Sequence, residues 1–200
     1  LALERAGDFA RLLAGHETAW AHIWARSALE LPENDDVLQI ARLHLFHLFQ
    51  TASPNTLDMD VSLGPRGLHG EAYRGLAMWD DLYVLPVLDL RLPEVTRDLL
   101  KYRYRRLPEA RRRARRDGLR GAMYPWQCGS NGEEMAQKIH LNPKSGRWIP
   151  DVTNLQRHVG LAIARNVSHY HDASGDDQFM EDFGAELLFE IARFFGSLAT

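Results

Sequence analysis

The stretch from Arg66 to Leu90, RGLHGEAYRGLAMWDDLYVLPVLDL, decides the reading of this chain. It divides near Leu76. Before that point Gly67, Gly70 and Gly75, with Gly64 just upstream, let the backbone turn sharply and approach a ligand closely. After it, Leu76 to Leu90 is nearly all apolar, with Pro86 inside. A helix apolar on every side is expected to be buried on every side, and Pro86 is expected to kink it. The pattern is a loop suited to contact that feeds a helix suited to a core.

Outward from this stretch, apolar residues recur at helical spacing. Leu12, Leu13, Ala19, Trp20, Ile23, Trp24 and Leu29 predict a helix over Phe9 to Leu29, with Asp8 to cap it. Asn34 opens a second helix that carries Val37, Ile40, Ala41, Leu45, Leu48 and Phe49 on one side and ends at Pro54. Ser53 to Arg74 has no period and reads as a loop. Pro93 to Arg106 is an amphipathic helix with proline in its first turn. Pro108 to Asp117 is a short basic helix stopped by Gly118. A longer loop runs from Gly121 to Pro150. Val152 to Tyr170 and Gln178 to Ala199 are further helices, and the turn HDASGDD between them has stop and start residues in order. No convincing strand appears, so the class is all-α. Long ordered loops in a compact domain are usually functional.

The 200 residues suffice for one domain with a real core. An apolar share of 45% and a charged share of 26% are ordinary for a globular chain. No apolar run approaches membrane-spanning length, and the start lacks a basic region followed by an apolar core, so no signal peptide is expected. Both ends stop within helix-like sequence, LALERAGDFARLL and LLFEIARFFGSLAT, so the chain reads as a fragment of a larger protein. Cys128 is the single cysteine. It cannot form an internal disulfide or a cysteine-based metal site, and it fits a reducing, cytoplasmic setting. The net charge of -3 gives no reason to expect nucleic acid or an anionic membrane.

Within the first loop lie Arg66, His69, Glu71, Tyr73 and Arg74, followed by Trp79, Asp80 and Asp81. An aromatic ring beside a carboxylate suits a sugar: the ring covers the apolar C–H face, and the carboxylate accepts from adjacent hydroxyls. Spacing leaves open a second reading, in which Trp79 is core and Asp80 a helix cap or ion-pair partner. The second loop, GAMYPWQCGSNGEE, offers Tyr124, Trp126 and Gln127, whose amide can donate and accept. Glu133 and Glu134 follow, but adjacent glutamates point apart. An acid and a base for glycoside cleavage must face each other across the bond, so the pair reads as a solvated loop. His44 and His47, and His169 and His171, lack the spacing of a helical zinc motif, and no metal is expected. The basic run Lys101 to Arg116 reads as a solvated helix face.

In their order and spacing, RGLHGEAYRG, MWDDLYVLP, KYRYRRLPEARRRARRDGLRGAMYPWQ and GDDQFMEDFGAELLFEIARFF resemble glycoside hydrolase family 65, which includes maltose, trehalose and kojibiose phosphorylases. The resemblance runs from about Trp20 to the C-terminus. It implies a partial (α/α)6 barrel of the six-hairpin glycosidase type. Residues 1–33 would be a lead-in helix region and residues 34–200 the first half of the catalytic barrel. It implies that Trp79 and Asp80 hold the transferred glucose, with Arg74 of the same Gly-rich loop beside them. Trp126 and Gln127 would line the neighbouring sugar site, which His158, in RHVGLAIARNV, would also approach.

The resemblance further implies inverting phosphorolysis of a disaccharide such as maltose, trehalose or kojibiose, with inorganic phosphate as co-substrate and no cofactor. Phosphate-independent hydrolysis of the same linkages, and a non-catalytic sugar-binding helical protein, are the alternatives. A homodimer of the full-length protein is compatible with it. Two departures stand out. The phosphorylases commonly follow Trp-Asp with Thr-Glu, where this chain has Asp81 and Leu82, and follow the loop Trp with Glu and Ser, where it has Gln127 and Cys128. The family's catalytic glutamate lies in a later Gly-Pro-Asp-Glu-Tyr motif that these residues do not contain, so no catalytic residue is assigned here.

Overall fold

The computed structural model describes residues 7–32, 34–68, 70 and 72–199. Two compact units divide them, one reaching to Phe49 and the other running from Gln50. The first holds α1 (Phe9–Arg26) and the start of α2 (Asp35–Thr51). Asp8 accepts from the Arg11 N–H at 2.9 Å and Asn34 from the Val37 N–H at 3.3 Å, each satisfying a helix-end donor with no partner inside the helix. The two helices meet through Trp20 on Phe46, with 4.7 Å between ring centres, and Trp24 edge-on to Phe49.

The second unit is built from α3 (Asp81–Arg91), α4 (Pro93–Arg105), α5 (Leu107–Arg116), α6 (Val159–Ser174) and α7 (Ala185–Leu198). A short turn, Asp177–Phe179, and a π-helical turn, Met180–Gly184, lead into α7. Helix α3 packs on α6, α4 packs on both, and α6 in turn packs on α7. Leu88, Val159, Val167 and Leu187 are fully buried in this core. Burial of such a side chain stabilises the fold by about 1.5–3 kcal/mol. The stop and start in HDASGDD are realised as read: Gly175 takes a left-handed φ of 65° after Ser174, and Asp176 accepts from the Phe179 N–H at 2.9 Å.

Several expectations need correction. Helix α3 starts at Asp81, not Leu76, because Ala77 spends its backbone N–H and carbonyl on Cys128 instead of a helix. Nor is α3 buried on all sides: Tyr83 and Leu90 are 67% and 71% exposed, while Leu85, Leu88 and Asp89 face the core. Helix α6 starts at Val159, after a separate 3-10 turn at Thr153–Leu155. The second loop also contains strands. β1 (Ile139–Asn142) and β2 (Arg147–Pro150) pair antiparallel, with Leu141 opposite Trp148. Asn142 closes their turn by accepting from the Lys144 and Ser145 N–H groups at 3.0 and 3.2 Å.

The second loop is pinned to the helices before the hairpin begins. Ala122 donates to the Glu190 carbonyl at 2.9 Å and Met123 to the Ala110 carbonyl at 3.0 Å. Gly121 makes the approach possible. Its φ is 74°, and a Cβ there would collide with the Glu190 carbonyl oxygen and the Phe194 nitrogen.

Candidate functional site

The two loops meet at one residue pair. Ala77 donates to the Cys128 carbonyl at 3.2 Å, and Cys128 donates back at 2.8 Å. In antiparallel pairing, residues two steps away in opposite directions also face each other. Trp79 therefore falls opposite Trp126, and their rings stack with 6.4 Å between centres and 28° between planes. His158, just before α6, closes a third side. It lies edge-on to Trp79 at 5.3 Å and 5.4 Å from Trp126. All three rings are half-buried.

Asp80 sits at the N-terminal end of α3, yet its side chain makes no capping bond. Burial pushes its carboxyl above the ordinary value. A bond from its own backbone N–H opposes that rise, and the charge of Asp81 adds to it. Asp81 is fully engaged by contrast. It accepts from Arg103 Nη2 at 2.7 Å and Nε at 3.2 Å, and from Asn166 Nδ2 at 3.3 Å. The ion-pair role thus belongs to Asp81, and Asp80 is left with acceptor capacity.

The second loop is held by Glu134. Its carboxylate accepts from the N–H groups of Trp126, Gln127 and Ala136 at 2.8, 2.9 and 3.2 Å, and pairs with Arg113 at 3.0 Å. Sequence reasoning missed this role: Glu134 does not solvate the loop but shapes it. Glu133 bonds to Asn131 instead, so the two glutamates share no target. Tyr124 belongs to the core. It is buried and donates to the Arg103 carbonyl at 3.0 Å.

Gln127 is buried and lines an open pocket of about 440 Å³ together with Tyr73, Arg74, Met135 and Gln137. Tyr73 and Arg74 both have φ of 55°, and Gly75 follows at 68°. Left-handed backbone at a non-glycine residue costs about 1–3 kcal/mol and tends to cluster at ligand sites. The turn is held by Arg74 Nη2 on the Met135 carbonyl at 2.7 Å and by the Leu76 N–H on the Tyr73 carbonyl at 3.0 Å. His69 and Glu71 of the same loop lie outside the described residues. Among the described residues, no group of three His, Cys, Asp or Glu side chains is placed to hold a metal ion.

The structure therefore brings Trp79, Trp126 and His158 into mutual contact, and Gln127 and Arg74 into one pocket. Asp80 is tied to them through Trp79, its neighbour in the chain. Ring faces, a carboxylate with acceptor capacity to spare and a buried amide can bind a polyhydroxylated ring. Neither Glu133 nor Glu134 is placed to act as an acid–base pair across a bond.

Similarity to known proteins points to a carbohydrate-active family. Residues 42–200 match the model of the glycosyl hydrolase family 65 central catalytic domain. The chain is 56% identical to an uncharacterized glycosyl hydrolase of Mycobacterium tuberculosis, over 98% of this chain and 15% of that protein. It is 39% identical to trehalose 6-phosphate phosphorylase of Lactococcus lactis, over 88% of this chain and 23% of the relative. It is 32% identical to kojibiose phosphorylase of Halothermothrix orenii, over 98% and 25%. A solved chain from the human microbiome, named as a proposed kojibiose phosphorylase, superposes with a TM-score of 0.81 at 29% identity, over 98% of this chain and 27% of that one. The chain thus spans a quarter or less of the length of these curated relatives.

Proposed function

This chain belongs to glycosyl hydrolase family 65, and on that footing we propose that its two loops grip an α-linked glucosyl disaccharide for inverting phosphorolysis. The observation that carries the proposal is the cluster of Trp79, Trp126 and His158, assembled from three distant parts of the chain beside the carboxylate of Asp80, which makes no helix-capping bond. Trp79 and Asp80 hold the glucose that is transferred. Trp126, Gln127, Arg74 and His158 form the side that receives the second sugar. The relatives named as phosphorylases support inorganic phosphate as the co-substrate. Residues 34–200 form the first half of the catalytic barrel, and residues 1–33 lead into it. The start of the family match at residue 42 supports that division.

In this scheme a protonated glutamate from elsewhere in the protein protonates the leaving oxygen, while phosphate attacks the anomeric carbon from the opposite face. The residues present here bind and orient the sugar and keep water from its ring face. The test is to assay the full-length protein on trehalose, trehalose 6-phosphate, maltose and kojibiose, with and without phosphate. Phosphate-dependent release of a glucosyl phosphate is expected. Turnover of none of the four overturns the proposal, and turnover independent of phosphate replaces phosphorolysis by hydrolysis.

A further inference from the structure

Arg113 lies on α5 and does not line the pocket, and its side chain is only 13% exposed. Its Nη2 reaches two acceptors from two different segments. One is Glu134 Oε2 at 3.0 Å, the carboxylate that fixes the Trp126 and Gln127 backbone. The other is the Asn154 carbonyl at 3.0 Å, in the 3-10 turn that precedes His158. Arg157 binds that same carbonyl at 2.8 Å, so the turn has a second anchor. Nη1 of Arg113 is buried with no partner among the described residues, so the side chain keeps these two bonds at the cost of an unsatisfied donor.

We propose that Arg113 is a positioning residue for the second-sugar side of the site, holding the Trp126–Gln127 loop and the turn carrying His158 in fixed register with each other. This rests on the sugar-binding reading given above. The two walls come from segments on either side of the β1–β2 hairpin; Gln137 and Asp151 join them near the hairpin, and Glu134, Arg113 and Asn154 join them next to Trp126, Gln127 and His158. Small displacements of binding groups cost rate or affinity out of proportion to their size.

The variants Arg113→Met and Arg113→Lys in the full-length protein test this. The methionine variant leaves Glu134 its three backbone donors and Asn154 its bond to Arg157, so folding is expected to survive. KM for the disaccharide is expected to rise about tenfold with kcat changed less than about twofold, and lysine, which keeps the charge beside Glu134, should restore most of the loss. An unchanged KM in folded Arg113→Met overturns the proposal. So does a joint loss of kcat, KM and melting temperature that lysine does not restore, since that is a purely structural role. Tryptophan emission gives a readout independent of turnover. The difference between the unaltered protein and Arg113→Met should vanish when Trp79→Phe and Trp126→Phe are both present in each, since these are the two tryptophans that meet His158. A difference that persists, or none at all, overturns the brace. If the unaltered protein turns over no disaccharide, the functional reading fails, and emission still decides the role of Arg113.

Discussion

Arg103 donates from the core to the carboxylate of Asp81 at 2.7 Å and, from the same nitrogen, to the Met78 carbonyl. Those two acceptors lie on either side of Trp79 and Asp80, so one buried guanidinium brackets that pair. Burial alone would lower the pKa of this arginine, but the charge and hydrogen bond of Asp81, together with Cys128 and Tyr102, outweigh it and the guanidinium stays protonated.

Breaking that bracket should be costly. The Arg103 side chain is 1% exposed and that of Asp81 10%, so solvent cannot substitute for the lost partner. Arg103→Met is expected to destabilise the fold by about 3–5 kcal/mol, because it leaves a carboxylate buried without its cation. Urea unfolding read by circular dichroism measures it. Asp81→Asn keeps an acceptor but leaves the still more deeply buried guanidinium without its counter-charge, and should cost a comparable amount.

The stacked pair makes a different prediction. Trp79 and Trp126 are half-buried, so shortening either removes contact area for the ligand more than it opens the core. Trp126→Ala is expected to weaken sugar binding by about 2 kcal/mol, roughly thirtyfold in KM. Trp126→Phe should recover part of this by restoring a ring face. Steady-state kinetics on the full-length protein read both.

These residues show what sequence could and could not convey. Helices α4 and α5, and the turn at Ser174 to Asp177, were legible because apolar period, proline and glycine placement are local signals. Trp79 and Trp126 stand out by chemistry and His158 by the family resemblance, but the contact of the two tryptophans depends on the pairing of Ala77 with Cys128, which joins distant segments and has no period. That same pairing held Leu76 to Met78 out of α3. The β1–β2 hairpin was missed because four-residue strands alternate too briefly to show a period. The role of Glu134 was hidden because a carboxylate that collects backbone donors looks, in sequence, like one that faces water.

Gly121 tests the attachment of the second loop. Its left-handed φ and its contact with the α7 backbone both exclude a side chain. Gly121→Ala is expected to cost about 2–4 kcal/mol, since strain and collision add. Loss of the loop's register should also expose Met123 and Tyr124, now 1% exposed each, to solvent. Hydrogen exchange over Ala122 to Tyr124 would report it as lost protection, and unchanged protection would exclude that account.

The stretch between the pocket and His158 should respond to acid. Asp151 accepts from Thr153 Oγ1 at 2.6 Å and from the Thr153 N–H at 2.9 Å, and also from Gln137 Nε2 at 3.1 Å. These bonds, those from Thr153 foremost, hold its carboxyl down at about 2, below the ordinary 3.8. A carboxyl lowered on folding stabilises the fold fully above its unfolded value, and that contribution disappears as pH falls through the folded value. Stability from Asp151 should therefore be intact at neutral pH, decline below about pH 4 and be gone near pH 2. Urea midpoints of the unaltered protein and Asp151→Asn, followed across that range, should converge as the pH falls. Because Gln137 lines the pocket and Asp151 binds it, acid should loosen the pocket rim before it unfolds the helices. A gap between the two proteins that stays constant down to pH 2 would assign the strain of the asparagine variant, not the charge of Asp151, as its cause.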